Sequence, residues 1–238
     1  MESLKKSKNP NPGWVSNLVV IEKPNKTLRI CIDPTELNKV IIRDYYEIPK
    51  FEEIMTSLSK MKFYCVFDLK DGYYHLKLDA TTSDLCTVST PFGCYKFLRA
   101  PFGITSIPEI FQKKTSQYFG DIPGVEVYFD DILSSGQTEE DLFRVVQMVL
   151  QRAREYGVKF NPTKLQYFAR EVNFFGNVIC EGSCKPNPDR VKAIETLKDP
   201  CNKRSCNKRW EGFKLFVEIC ASFIRKIATL SNLIKITR

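Results

Sequence analysis

Between Gly124 and Gly136 apolar and polar positions alternate, with Val125, Val127 and Phe129 taking turns with Glu126 and Tyr128. That period of two predicts a strand with one buried face; Ile132 and Leu133 begin a return strand before Ser134, Ser135 and Gly136 break it. Asp130 and Asp131 then fall at the bend of a hairpin. A second apolar run, Phe63 to Phe67, is nearly continuous, which predicts a central strand covered on both faces, and it closes on Asp68. Val15 to Glu22 and Leu28 to Ile32 predict a hairpin around turn chemistry at residues 23–27. Tyr74 to Leu78 and Thr87 to Thr90 read as short strands, and Thr35 to Asn38 as a helical turn. Helical spacing appears at Phe51 to Ser59, with Ile54, Met55 and Leu58 inward. It returns from Ser106 to about Phe119, with Pro108 in the first turn. A third helix, with an acidic start at 138–141, carries the stripe Leu142, Val145, Val146, Val149 and Leu150 and ends at Gly157. Met1 to Pro12 is polar and reads as frayed.

The chain has 238 residues, 43% of them hydrophobic and 27% charged, enough for a sizeable core in one domain or several subdomains. No apolar run reaches the roughly 18 residues of a membrane span, and no leader pattern opens the sequence, so an intracellular protein without membrane contact is expected. Nine scattered cysteines fit reduced, buried thiols better than a disulfide framework. Cys180 and Cys184, or Cys201 and Cys206, suggest zinc only weakly, because the sole histidine, His75, is remote in sequence. The net charge of +8 is uneven: residues 185–238 carry 13 Lys and Arg against 5 Asp and Glu, while the remainder balances. A neutral body with a basic final quarter fits either a polyanion such as a nucleic-acid backbone or a solvated helix face.

Candidate chemistry begins with the carboxylates. Two adjacent Asp side chains at the end of a stiff, apolar hairpin repel each other, and a divalent cation is the usual remedy, although Asp at a bend is also ordinary turn chemistry. Asp68, at the C-terminal end of a buried strand, is the natural third ligand, since a carboxylate there is costly unless paired. Lys23, Lys26 and Arg29 near the tip of the first hairpin suit phosphate contact, or simply an exposed turn. Pro-Phe-Gly occurs twice, at 91–93 and 101–103, and marks loops held close to another surface; Gly103 permits tight backbone approach.

Together these segments resemble the reverse transcriptases of gypsy-type long-terminal-repeat retrotransposons, from about Trp14 to the end. Tyr128-Phe129-Asp130-Asp131 is similar to the Tyr-x-Asp-Asp box, and Phe67-Asp68 with Asp71-Gly72-Tyr73-Tyr74 to the strand of the first catalytic aspartate. Pro101-Phe102-Gly103, with Pro108, Phe111 and Gln112, resembles the nucleotide- and template-contacting segment. Residues 29–33 with Leu37 and Asn38 resemble the fingers hairpin, 161–164 the lysine-bearing loop, and 174–179 the primer grip. Five segments in matching order are a far stronger signal than one Asp pair.

The resemblance implies an RNA-directed DNA polymerase, a nucleotidyltransferase. Asp68, Asp130 and Asp131 would be catalytic and would hold two Mg²⁺, with Mn²⁺ as a substitute. Lys23, Lys26, Arg29, Tyr73, Phe102, Gly103 and Lys164 would bind the deoxynucleoside triphosphate. Tyr73 would be the gate against a 2′-hydroxyl, in competition with Tyr74, and Phe175 and Gly176 would grip the primer. The fold implied is α+β, a right hand: fingers at 1–43 and 76–106, an antiparallel-sheet palm backed by helices at 44–75 and 107–184, and the start of a helical thumb at 185–238. Implied partners are an RNA or DNA template with primer, and other Pol segments such as ribonuclease H and integrase, in the cytoplasm or in retroelement particles. Three departures stand out: Thr27 and Thr35 where relatives carry basic residues, Ala100 where Leu is usual, and a tandem Cys-Asn-Lys-Arg at 201–204 and 206–209. Two other readings stay open, a catalytically silent nucleic-acid-binding scaffold and a two-metal nuclease. The nuclease gives no reason for a nucleotide gate.

Overall fold

The computed structural model describes residues 3–7, 12–23, 26–43 and 45–196. Chain contacts divide into two interleaved units, one from Met1–Ile48, Phe67–Ile132 and Gln147–Leu165, the other from Pro49–Val66, Leu133–Val146 and the chain from Gln166 onward. In chain order the elements are β1 Leu4–Lys6, β2 Ser16–Glu22, β3 Leu28–Ile32, α1 Leu37–Val40, α2 Phe51–Ser57, β4 Phe63–Asp68, α3 Ala80–Leu85, β5 Thr87–Thr90 and β6 Gly93–Phe97. There follow α4 Ile107–Phe119, β7 Val125–Tyr128, β8 Asp131–Gly136, α5 Glu139–Tyr156, β9 Gln166–Ala169, β10 Glu171–Phe174, β11 Asn177–Cys180, β12 Ser183–Pro186 and α6 Pro188–Glu195. Among the described residues no helix is long and apolar enough to cross a membrane.

The first unit holds a five-stranded sheet of order β1-β6-β5-β2-β3. β2 and β3 pair antiparallel with Val20 opposite Ile30, the hairpin expected around residues 23–27. Within the described part of the polar start, expected to be frayed, Leu4 to Lys6 pair with Phe97 to Tyr95, because main-chain hydrogen bonding to the β6 edge needs no apolar side chain. One face of the sheet packs into a core of Ile32, Leu37, Val88, Phe97, Ile104 and Ile107. Ala100 is fully buried in the same cluster, so its small side chain meets a packing demand.

Two local expectations change. Residues 72–75 form a 3-10 turn rather than opening a strand, since Asp71 adopts φ +59° and the chain closes through Tyr74 N–H to Asp71 O (2.9 Å). β8 runs through Ser134 and Ser135 to Gly136, because both serines are small enough to lie in the interior. α3, which no apolar stripe announces, is capped by Asp79, whose carboxylate accepts from Thr82 N–H at 2.8 Å.

β4 and β8 belong to a sheet of order β7-β8-β4-β9. In the second unit, α2 buries Ile54, Met55 and Leu58, as its spacing predicts. β10, β11 and β12 form an antiparallel meander, and the Phe51 and Phe175 rings stack at 5.3 Å. The expected thumb falls almost wholly outside the described residues; within them lies α6, and the tandem repeat at 201–209 lies beyond. Cys31, Cys65 and Cys86 are buried free thiols. The Cys180 thiol meets Ser183, with Sγ and Oγ 2.7 Å apart.

Candidate active site

Asp68 is delivered by the apolar strand β4, whose residues Tyr64 to Phe67 are all buried. Where the strand ends, three main-chain hydrogen bonds fix it. Leu69 N–H donates to Asp130 O at 2.7 Å, Asn161 N–H to Asp68 O at 2.8 Å, and Lys70 N–H to Lys159 O at 2.9 Å. The acid that closes β4 is thereby tied through the backbone to the hairpin bend 62 residues later. The same ladder brings in the segment before Lys164.

The bend consists of Phe129 and Asp130. Phe129 takes φ +49°, a left-handed conformation that a bulky residue adopts only under constraint. The constraint comes from Gln112 on α4, fully buried, whose Oε1 accepts the Phe129 N–H at 2.6 Å. Asp130 turns its carboxylate against Gly72: a Cβ built on that glycine would lie 2.1 Å from Asp130 Oδ1. That oxygen is buried and meets no hydrogen-bond donor among the described residues.

Electrostatics follow from this crowding. Burial, followed by the charge of Asp68, pushes the Asp130 carboxyl up to about 6. Asp131 rises to about 6 for the same reasons, with Asp130 adding to the repulsion. Lys164 lowers both, and Arg29 lowers Asp130. Lys164 Nζ lies 2.7 Å from Asp68 Oδ2.

Lys23, Arg29, Asp68, Phe102, Asp130 and Lys164 line one cleft of about 510 Å³, together with Tyr74 and Asn161. Lys26, Tyr73, Gly103 and Asp131 do not line it. Phe102 is a hub: the Arg29 guanidinium lies 4.6 Å above its ring, Tyr73 packs at 4.8 Å and Tyr74 edge-on at 5.7 Å. Burial, then the nearby Asp130 charge, raises the Tyr73 hydroxyl pKa. Tyr74 donates its hydroxyl to Ile30 O at 3.0 Å. Gly103 has φ +120°, and a Cβ there would sit 2.7 Å from Ile32 O, so the close approach expected of it is present. Phe175, at φ +53°, and Gly176 form the β10–β11 turn of the other unit, with the Arg190 guanidinium seated over Gly176.

Composition and spacing miss three residues: Gln112 as a buried clamp, Gly72 as the floor beneath Asp130, and His75. The His75 Nδ1 lies 2.9 Å from Gly72 O and its Nε2 accepts the Lys159 N–H at 3.0 Å, which fixes the neutral Nδ1–H tautomer. The Asp71-Gly72-Tyr73-Tyr74 pattern contains Gly72 and the segment with Pro108 and Phe111 contains Gln112, but neither pattern assigns these roles.

A family profile described as reverse transcriptase (RNA-dependent DNA polymerase) matches residues 21–179. The chain belongs to the reverse transcriptase family. It is 28% identical over 209 residues to the Retrovirus-related Pol polyprotein from transposon 412 of Drosophila melanogaster, covering 87% of this chain and 17% of that polyprotein. Against the Enzymatic polyprotein of Cauliflower mosaic virus (strain CM-1841) it is 29% identical over 233 residues, covering 97% of this chain and 34% of that one. The chain thus spans about a sixth to a third of the length of these relatives. The solved foamy viral protease-reverse transcriptase dRH in complex with ds DNA shares the fold at TM-score 0.82 and 20% identity, over 95% of this chain and 41% of that one. A foamy viral protease-reverse transcriptase in complex with RNA/DNA hybrid aligns at TM-score 0.79, with 20% identity over 90% of this chain and 28% of that one.

Reverse transcriptases generally use divalent metal ions. Among the described residues no group of three or more His, Cys, Asp or Glu is arranged as a metal site. The donor set nevertheless suits a hard cation: three carboxylates, two of them raised in pKa by burial and then by neighbouring carboxylate charge, and one buried oxygen of Asp130 without a donor among the described residues.

Proposed function

We propose that the chain is the RNA-directed DNA polymerase segment of a gypsy-type retrotransposon Pol polyprotein, transferring nucleotides from deoxynucleoside triphosphates to a primer 3′-hydroxyl. The observation that supports this most is the electrostatic coupling of Asp68, Asp130 and Asp131, the first two of which line one cleft together with Arg29 and Lys164. Acidic and basic groups facing one opening suit a reaction in which a triphosphate enters and pyrophosphate leaves.

Asp68, Asp130 and Asp131 are the residues that would hold two Mg²⁺, or Mn²⁺ in their place. When bound, such ions lower the pKa of the primer hydroxyl and neutralise charge on the phosphates. Arg29, braced on the Phe102 ring, and Lys23 offer their charges to the triphosphate, with Lys26 on the adjoining turn. Lys164 orients Asp68 through its ammonium and is the proton donor or electrostatic partner for the leaving group. Tyr73, five residues after Asp68 and packed on Phe102, is the gate beneath the sugar, while Gly103 lets the backbone close on the pocket. Phe175 and Gly176 hold the primer terminus.

Residues 1–43 and 76–106 act as fingers, 44–75 and 107–184 as palm, and 185–238 as the start of a thumb. Every strand of the five-stranded sheet falls within the first set, and every strand of the β7-β8-β4-β9 sheet within the second, which supports the division. Template-primer, ribonuclease H and integrase segments are the expected partners, inside cells or retroelement particles.

The deciding experiment is extension of a primed RNA template by the purified chain with Mg²⁺ and deoxynucleotides. Extension by wild type that Asp130→Asn abolishes is the expected result. Binding without synthesis, or template degradation instead, overturns the reading.

A further inference from the structure

We propose that Gln112 is a positioning residue for the Phe129-Asp130 bend, its side-chain amide standing in for a neighbouring strand at the open edge of β7. The inference rests on the polymerase reading for its kinetic consequence, though not for its structural content.

Among the described residues β7 is the outermost strand of its sheet, so one row of its main-chain groups has no strand partner there. Gln112 projects from α4 onto that row. Its Nε2 donates to Val127 O at 2.9 Å, and its Oε1 accepts from Phe129 N–H at 2.6 Å. Accepting from one residue and donating to the residue two before it is how the C=O and N–H of a single residue in a parallel strand pair with their neighbour. The amide is itself anchored, since Nε2 also donates to Ser116 Oγ at 3.1 Å, one helical turn further along α4. Both ends of the carboxamide are therefore assigned, and the side chain is fully buried.

An apolar side chain of similar volume would fill the same space. It would leave a buried N–H and C=O unpaired beside the bend, where the low local dielectric makes that loss expensive. Phe129, which receives the bond, holds the left-handed φ of +49° and directly precedes Asp130. Without the bond the bend can relax toward an ordinary conformation, and the Asp130 carboxylate leaves its seat against Gly72.

The test is Gln112→Met in the whole chain, with Thr115→Val as control; the Thr115 hydroxyl bonds only main-chain oxygens of Phe111 and Gln112, inside the helix. Gln112→Met is expected to lower kcat for primer extension about 100-fold with KM for the nucleotide nearly unchanged, since displacing a reacting group by about 1 Å costs on that order. By NMR the Phe129 amide should lose protection from hydrogen exchange. Thr115→Val should lower Tm and leave both readouts in place. Should Gln112→Met fail to fold, Ser116→Ala loosens the same amide and should move the readouts in the same direction by less. Unchanged Phe129 exchange overturns the proposal, as does a kcat close to that of wild type. A wild type without extension overturns the polymerase reading alone, and Phe129 exchange then decides the role of Gln112.

Discussion

Lys164 Nζ and Asp68 Oδ2 lie 2.7 Å apart across 96 residues of sequence, the lysine more than half exposed and the carboxylate largely covered. The ammonium does more than satisfy its partner, because its charge also lowers the pKa of Asp130 and Asp131. Removing it leaves three carboxylates to repel one another. Lys164→Met is expected to push Asp130 and Asp131 to still higher titration midpoints, read by carboxyl NMR. It should also slow extension about 100-fold, the usual scale for losing a general acid, with Lys164→Arg recovering the charge effect but not the full rate.

Asp130 and Asp131 have folded-state pKa values raised to about 6 from an ordinary 3.8. Between those limits the folded protein binds more protons than the unfolded one, so stability falls as pH rises through the window and stays reduced above it. Asp130→Asn should therefore raise Tm at pH 7, by on the order of 1–3 kcal/mol of stability, and abolish extension. At pH 4 the stabilisation should shrink. Thermal melts at the two pH values check this, and an Asn variant that melts lower than wild type at pH 7 contradicts it.

Gly72 has no room for a methyl group: the added Cβ would lie 2.1 Å from Asp130 Oδ1. Gly72→Ala must displace that carboxylate or shift the 3-10 turn, at a cost of about 1–3 kcal/mol. Extension should fall by about 100-fold, since the reacting carboxylate moves. Asp130→Asn and Gly72→Ala combined should lose no more activity than Asp130→Asn alone, which primer extension of the double variant would reveal.

His75 is held neutral, mainly by burial, with the Arg99 and Lys159 charges acting in the same sense and the Gly72 carbonyl and Asp71 opposing them. Its pKa is lowered from 6.5, so at mildly acid pH the unfolded chain binds the extra proton and stability drops. Protonation also removes the acceptor for the Lys159 N–H. Wild type should lose stability as pH falls below about 6.5, opposite in sign to the aspartate effect, and His75→Asn should flatten that part of the curve. Urea unfolding across pH 5 to 8 separates the two contributions.

Much of this arrangement follows from local sequence pattern. The continuous apolar run into Asp68, the alternation into Asp130 and the spacing of Ile54, Met55 and Leu58 dictate their elements because burial rewards one face at a fixed period. Order and spacing of short motifs named the three carboxylates, the Arg29 hairpin and Lys164; the fold lines one cleft with Asp68, Asp130, Arg29 and Lys164, while Asp131 does not line it. Pattern failed where the decisive partner is distant or main-chain. Leu4 to Lys6 became a strand through the backbone of β6, and Tyr74 turned in a 3-10 bend because Asp71 went left-handed. By motif Gln112 is part of a nucleotide- and template-contacting segment, yet it is buried against the hairpin; Gly72 is marked only as part of the motif after Asp68, yet it is the floor under a carboxylate. The sequence alone determined which residues carry charge and which faces seek burial. Only the tertiary structure decided which oxygen goes without a donor and which amide holds the turn, because those depend on atoms far apart in the chain meeting within a few ångströms.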